Sequence, residues 1–106
     1  MRPYHEIRRT PLNELSTAEH GVLQLEWAML KVRETANQIR VKSWMSYRDI
    51  SYDVGYFNGV RFSIAMALPI GSSDYYEFRE VSSRYASEVR FLSSAYLDRR
   101  RGSRLS

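Results

Sequence analysis

Ile50-Ser51-Tyr52-Asp53-Val54-Gly55-Tyr56-Phe57-Asn58-Gly59-Val60-Arg61-Phe62-Ser63-Ile64-Ala65-Met66-Ala67-Leu68 admits two structures, and the choice between them decides the fold. Taken in steps of two, Ile50, Tyr52, Val54, Tyr56, Val60, Phe62, Ile64, Met66 and Leu68 share one face, interrupted only by Asn58, as strands do. Taken in steps of four, Ser51, Gly55, Gly59, Ser63 and Ala67 form an unbroken ridge of small residues on which another helix can pack closely. In the strand reading Phe57-Asn58-Gly59 is a hairpin loop with Gly59 left-handed, so that Tyr56 faces Val60, Val54 faces Phe62, Tyr52 faces Ile64 and Ile50 faces Met66. A shorter Asn58-Gly59 loop fails, because it turns one apolar set away from the other. In the helix reading each glycine costs about 1 kcal/mol relative to alanine, which close packing has to offset. Ala65-Met66-Ala67-Leu68-Pro69 then makes a natural helical finish.

The flanking segments are easier to read. Residues 1–15 contain Pro3 and Pro11 and no sustained period, which predicts an extended arm. Ser16 followed by Glu19 is a capping box that opens a helix, and Val22, Leu25, Met29, Val32, Ala36 and Ile39 continue it at helical spacing. Leu23, Trp27 and Leu30 widen the stripe over its first half. A single helix from Ser16 to Leu68 would be about 80 Å long at 1.5 Å per residue, so a bend or loop is expected between Val41 and Asp49. Leu68-Pro69-Ile70-Gly71-Ser72-Ser73 is a stop and a restart, since proline cannot continue an element and serine caps the next one. From Asp74 to Asp98 the stripe Phe78, Val81, Tyr85, Val89, Leu92 and Tyr96 predicts a last helix, acidic in its first turn and followed by arginines, as the helix dipole favours.

The order of a long amphipathic helix, a break, and then Gly55-Tyr56-Phe57-Asn58-Gly59-Val60-Arg61-Phe62 closing on Leu68-Pro69 resembles small helical proteins carried by tailed bacteriophages. In those proteins a glycine-aromatic-x-x-glycine-x-arginine segment is helical. The resemblance covers roughly Leu23 to Pro69 and implies a source more than an activity. The expected fold is therefore mainly α: a small helical bundle or helical hairpin with an extended N-terminal arm (1–15), a single helical domain (16–98) and a basic C-terminal tail (99–106). The alternative is an α-β-β-α domain with a hairpin at 50–68.

The chain has 106 residues and 43% hydrophobic residues, enough for one modest core, and no apolar run approaching the roughly 20 residues of a membrane span. There is no cysteine, which excludes disulfides and thiolate chemistry, and Met1-Arg2-Pro3-Tyr4-His5-Glu6 lacks the pattern of a secretory signal. A cytoplasmic location, in a host cell, or a virion is expected.

From Ser16 to Leu97 nine basic residues balance nine acidic ones, so the net charge of +4 comes from the ends: +1 from 1–15 and +3 from 98–106. A basic end on a neutral body suits an acidic surface, either nucleic acid or protein, and Arg99, Arg100, Arg101 and Arg104 are the candidate contacts. No recognition helix rich in Arg, Asn and Gln is visible, so base-specific reading is not expected.

His5 and His20 stand far from other ligand-type residues at metal-binding spacing, no serine lies in a nucleophile elbow, and the glycines at 21, 55, 59, 71 and 102 form no phosphate loop. No catalytic residue, metal, cofactor or small-molecule substrate is expected. Tyr47, Tyr52, Tyr56, Tyr75, Tyr76, Tyr85 and Tyr96 suit core and interface positions. These readings converge on a non-enzymatic subunit of a larger assembly, most simply a bacteriophage virion component. It would act through homo-oligomeric contacts and through other assembly proteins, with Ser51, Gly55, Gly59, Ser63 and Ala67 as the helix-packing or oligomer interface. The alternative is a small regulatory or host-directed binding protein that uses its arginines on nucleic acid or an acidic protein surface.

Overall fold

A computed structural model describes the backbone of residues 2–41 and 47–105, and the side chains of these except at 47–49 and 95–105. The ambiguous stretch is helical. The elements are a short helix α1 (Tyr4–Ile7), a 3-10 turn (Leu12–Glu14), and the long helices α2 (Thr17–Val41), α3 (Tyr47–Ala67) and α4 (Ser73–Leu105), with no strand among the described residues. α2 packs against both α3 and α4, whereas α3 and α4 touch each other much less, so α2 is the shared partner of a three-helix bundle.

The phase of α3 explains why the hairpin alternative fails. Ile50, Phe57 and Leu68 are buried and Val54 and Ile64 half-buried, a helical spacing, while Tyr52, Tyr56, Phe62 and Met66 from the step-of-two set lie in solvent. Phe57, which the hairpin would place at its loop tip, is 0% exposed. It joins Leu25, Met29, Val32, Phe78 and Val89 in the core, to which α2, α3 and α4 all contribute. One α-helical turn in the interior satisfies its own amides and carbonyls, so burying the Phe57 backbone costs no orphaned polar group, as a buried loop tip would.

The helix starts follow their caps. Ser16 Oγ accepts from the Glu19 amide at 3.1 Å and Glu19 Oε1 accepts from the Ser16 amide at 3.0 Å, the reciprocal pair of a capping box. Ser72 Oγ accepts from the Tyr75 amide at 3.1 Å and opens α4, after a turn in which Gly71 takes φ +87°, a conformation open to glycine at no steric cost. The break expected between Val41 and Asp49 falls largely on residues 42–46, which lie outside the described residues; α2 is described to Val41 and α3 from Tyr47, and the two helices pack against each other.

Three expectations need correction. The arm is folded back on its own chain: Ile7 is buried in the core, and the Arg2 guanidinium spans Glu19 at 2.9 and 3.1 Å and Thr10 Oγ1 at 3.1 Å. Pro3 does not prevent this, because a proline at the helix start gives up no intrahelical bond. The segment from Arg99, expected as a tail, continues α4 to Leu105. Trp27 and Leu30 point outward, with Trp27 69% exposed, so the core stripe of α2 is the narrower one through Val22, Leu25, Met29, Val32 and Ile39.

Candidate functional site: the outer face of α3

Close helix packing was expected at Gly55 and Gly59, and the structure puts it elsewhere. A Cβ built at either glycine meets nothing within 4 Å, and Ser51, Gly55, Gly59, Ser63 and Ala67 are all exposed. Among the described residues no helix packs onto the two glycines of the ridge. The glycine that brings helices together is Gly21 on α2, where a Cβ would lie 2.6 Å from Ile64 Cγ2 and 3.4 Å from the Phe78 ring. Ile64 comes from α3 and Phe78 from α4, so the missing side chain at 21 sets the spacing of the three-helix junction.

What the ridge does form is the floor of an uncharged face. The exposed residues between Ile50 and Ala67 are Ser51, Tyr52, Gly55, Tyr56, Asn58, Gly59, Phe62, Ser63, Met66 and Ala67, and none carries a charge. The two charged residues in that span turn away: the Thr35 hydroxyl donates to Asp53 Oδ2, and Arg61 is half-buried toward α4. Tyr52, Tyr56 and Phe62 are 76%, 52% and 66% exposed; at about 200 Å² per aromatic side chain this leaves roughly 390 Å² of ring surface in water. Met66, 72% exposed, extends the same face. A patch of this size falls within the roughly 300–600 Å² of the largest apolar patch on a typical monomer, which is often a functional surface. A shallow groove where α2 meets α3, lined by Gln24, Tyr56, Gly59, Val60, Ser63 and Ile64, runs along one side of it, and Lys31 Nζ sits 5.7 Å from the centre of the Tyr56 ring at its edge.

The opposite side of the bundle carries a polar cluster that pairs mostly with itself. Arg33 forks onto Glu88, Nε to Oε2 at 2.5 Å and Nη2 to Oε1 at 2.8 Å, and reaches Glu26 Oε1 at 3.4 Å. Glu88 holds the Arg33 guanidinium well above its ordinary range, and Arg33 in turn holds the Glu88 carboxyl below its own. Burial first, and the neighbouring Glu26 carboxylate second, push the Tyr85 phenol up. Glu26 itself is buried, and its Oε2 has no hydrogen-bond partner. This cluster ties α2 to α4.

At the N-terminal end, Arg2 and the Ser16 amide hold the Glu19 carboxyl down to about 2 from an ordinary 4.5. A carboxyl depressed by folding adds stability that is present above the unfolded value and is lost as pH falls through the folded one. Melting temperature is thus expected to fall between about pH 4.5 and 2. Glu19→Gln should lower it at pH 7 and flatten the curve in that window, as thermal melts across pH will read.

Among the described residues no three His, Cys, Asp or Glu side chains gather as metal ligands, and no helix is long and apolar enough to cross a membrane. Arg99, Arg100, Arg101 and Arg104 occupy backbone positions in the last turns of α4, and their side chains lie outside the described residues. Gly21, Ile7 and the Arg33 cluster had no signal in the sequence that singled them out. Comparison with protein-family models, with curated proteins and with solved structures gives no match.

Proposed function

We propose that this chain is a non-enzymatic subunit of a larger assembly and that copies associate through the outer face of α3. The observation that carries this is the uncharged exposed surface around Gly55 and Gly59, on a helix whose glycines open onto solvent. A second copy is the occupant that fits. The face brings both parts of a helix–helix contact, a notch at Gly55 and Gly59 and bulky side chains at Tyr52, Phe62 and Met66 to fill a neighbour's notch, so it complements itself about a two-fold axis. Because it holds no charge, bringing two copies together sets no like charges against each other. The aromatic area alone is about half of the roughly 800 Å² per partner that a stable dimer buries, with Met66, Ala67 and the glycine backbone to add to it. The Gly55 to Arg61 resemblance suggests a tailed bacteriophage particle as the setting, where such a subunit would also meet other assembly proteins.

Light scattering of the purified protein at low and high salt tests the reading, with a discrete oligomer at both salts as the expected result. Gly59→Glu introduces a charge at the centre of the face without a clash in the monomer, and is expected to leave a folded monomer. A salt-independent monomer from the unaltered chain would sink the proposal.

A further inference from the structure

The groove between α3 and α4 gathers two cations without a carboxylate. It encloses about 370 Å³ and is lined by Asn58, Arg61, Phe62, Tyr75, Arg79 and Ser82 among others, with no acidic residue in its wall. Neither Arg61 nor Arg79 makes an ion pair, unlike Arg2 and Arg33 on the other side of the molecule. The reason these cations stay unpaired lies in the register of α4. Arg79, Arg90 and Arg101 recur every 11 residues, about three helical turns, so they fall in one line along the helix, and Arg104 lies one turn beyond. Between them that strip passes Ser83 and Leu97 and skirts the buried Ala86. Asp74, Glu77, Glu80 and Glu88 occupy the rest of the circumference, and Asp98, three residues before Arg101, is the one carboxylate of α4 next to the strip. From Arg79 to Arg104 the line is about 38 Å long at 1.5 Å per residue.

We propose that this strip, headed by the Arg61–Arg79 groove, binds the phosphodiester backbone of single-stranded nucleic acid. Guanidinium groups that recur along a line suit a ligand whose charges also recur along a line. The preference for a single strand comes from the rings beside the groove. Tyr75 lines it, and Tyr76, 59% exposed, stands edge-on to Tyr75 with ring centres 5.7 Å apart, which offers an unstacked base an aromatic surface. A base inside a duplex cannot reach it. The groove takes Asn58 and Phe62 from the edge of the α3 face proposed for self-association, but Arg61 and Arg79 lie outside that face, so substituting the arginines separates the two activities.

The test is fluorescence anisotropy of the full chain with a labelled thirty-nucleotide oligo-dT, with duplex DNA of the same length and polyglutamate as competitors. The expected result is tighter binding to the single strand than to either competitor, weakening steeply with salt. Arg61→Gln/Arg79→Gln removes two phosphate contacts and is expected to lower the salt slope by about 1.4 and the affinity by roughly tenfold at 0.1 M salt. Arg84→Gln, on the acidic side of α4, loses the same formal charge per site and is expected to leave both unchanged. Light scattering of the double variant should give the oligomeric state of the parent, which keeps this result independent of the assembly reading. Equal losses in Arg84→Gln would reduce the effect to diffuse charge, stronger duplex binding would remove the stacking argument, and polyglutamate binding as tightly as oligo-dT would make the ligand an acidic protein; each overturns the proposal.

Discussion

Phe57→Ala is expected to cost about 3–5 kcal/mol of folding stability, the range for deleting a large aromatic side chain from a packed core. Phe57 is fully buried where α2, α3 and α4 meet, so its removal leaves a cavity lined by three different helices that cannot collapse without moving one of them. Against a total of about 5–15 kcal/mol for a domain of this size, the loss is a large fraction. The melting temperature should fall by roughly 12–40 °C, at about 4–8 °C per kcal/mol. Phe57→Leu keeps most of the volume and should recover over half of the loss. Circular dichroism melts measure both. A neutral Phe57→Ala would mean that the side chain sits in solvent, as it would at a hairpin tip, and would overturn the bundle as described.

Arg33→Met is expected to be the next most damaging, for an electrostatic reason. The substitution keeps the aliphatic stem but removes the charge that faces Glu26 and Glu88 together. Glu88 is partly exposed and can turn to water. Glu26 cannot: it is buried, one of its oxygens already lacks a partner, and Arg33 is its ion pair. Removing Arg33, whose side chain is 38% exposed, from this 3.4 Å pair is expected to cost about 1–3 kcal/mol, the penalty for leaving a buried polar group without its partner. Adding Glu26→Gln to Arg33→Met removes the stranded charge, and the double variant should be more stable than Arg33→Met alone. If the two substitutions simply add, the pair is not coupled and the account of this cluster is wrong.

The sequence was informative where one face of a helix is apolar and the other is not. The stripe from Val22 to Ile39 and the Ser16–Glu19 box mark α2, and Phe78, Val81, Tyr85, Val89 and Leu92 mark α4, because polar residues on the far side give the period its contrast. α3 lacks that contrast. Its outer face holds Tyr52, Tyr56, Phe62 and Met66, as apolar as the buried face with Ile50, Phe57 and Leu68, so two periods fit the same letters. The repeat of glycine at 55 and 59 correctly signalled a helix surface stripped of bulk, yet repetition says nothing about whether the neighbour is in the same chain. Gly21, a single glycine with no repeat, is the one in close contact, and it left no trace in the pattern. The Arg33–Glu88 tie joins residues 55 positions apart, beyond the reach of any local spacing rule.

Gly21, Gly55 and Gly59 consequently impose opposite demands on sequence drift. At Gly21 any side chain runs into the stiff branched carbon of Ile64, so a lineage under pressure only to fold has nowhere to go. At Gly55 and Gly59 a methyl group meets empty space and improves the helix, so the same pressure pushes both positions toward alanine. A library of variants sorted for folding alone should therefore retain the first glycine and discard the other two. A library sorted for what the outer face touches would keep all three.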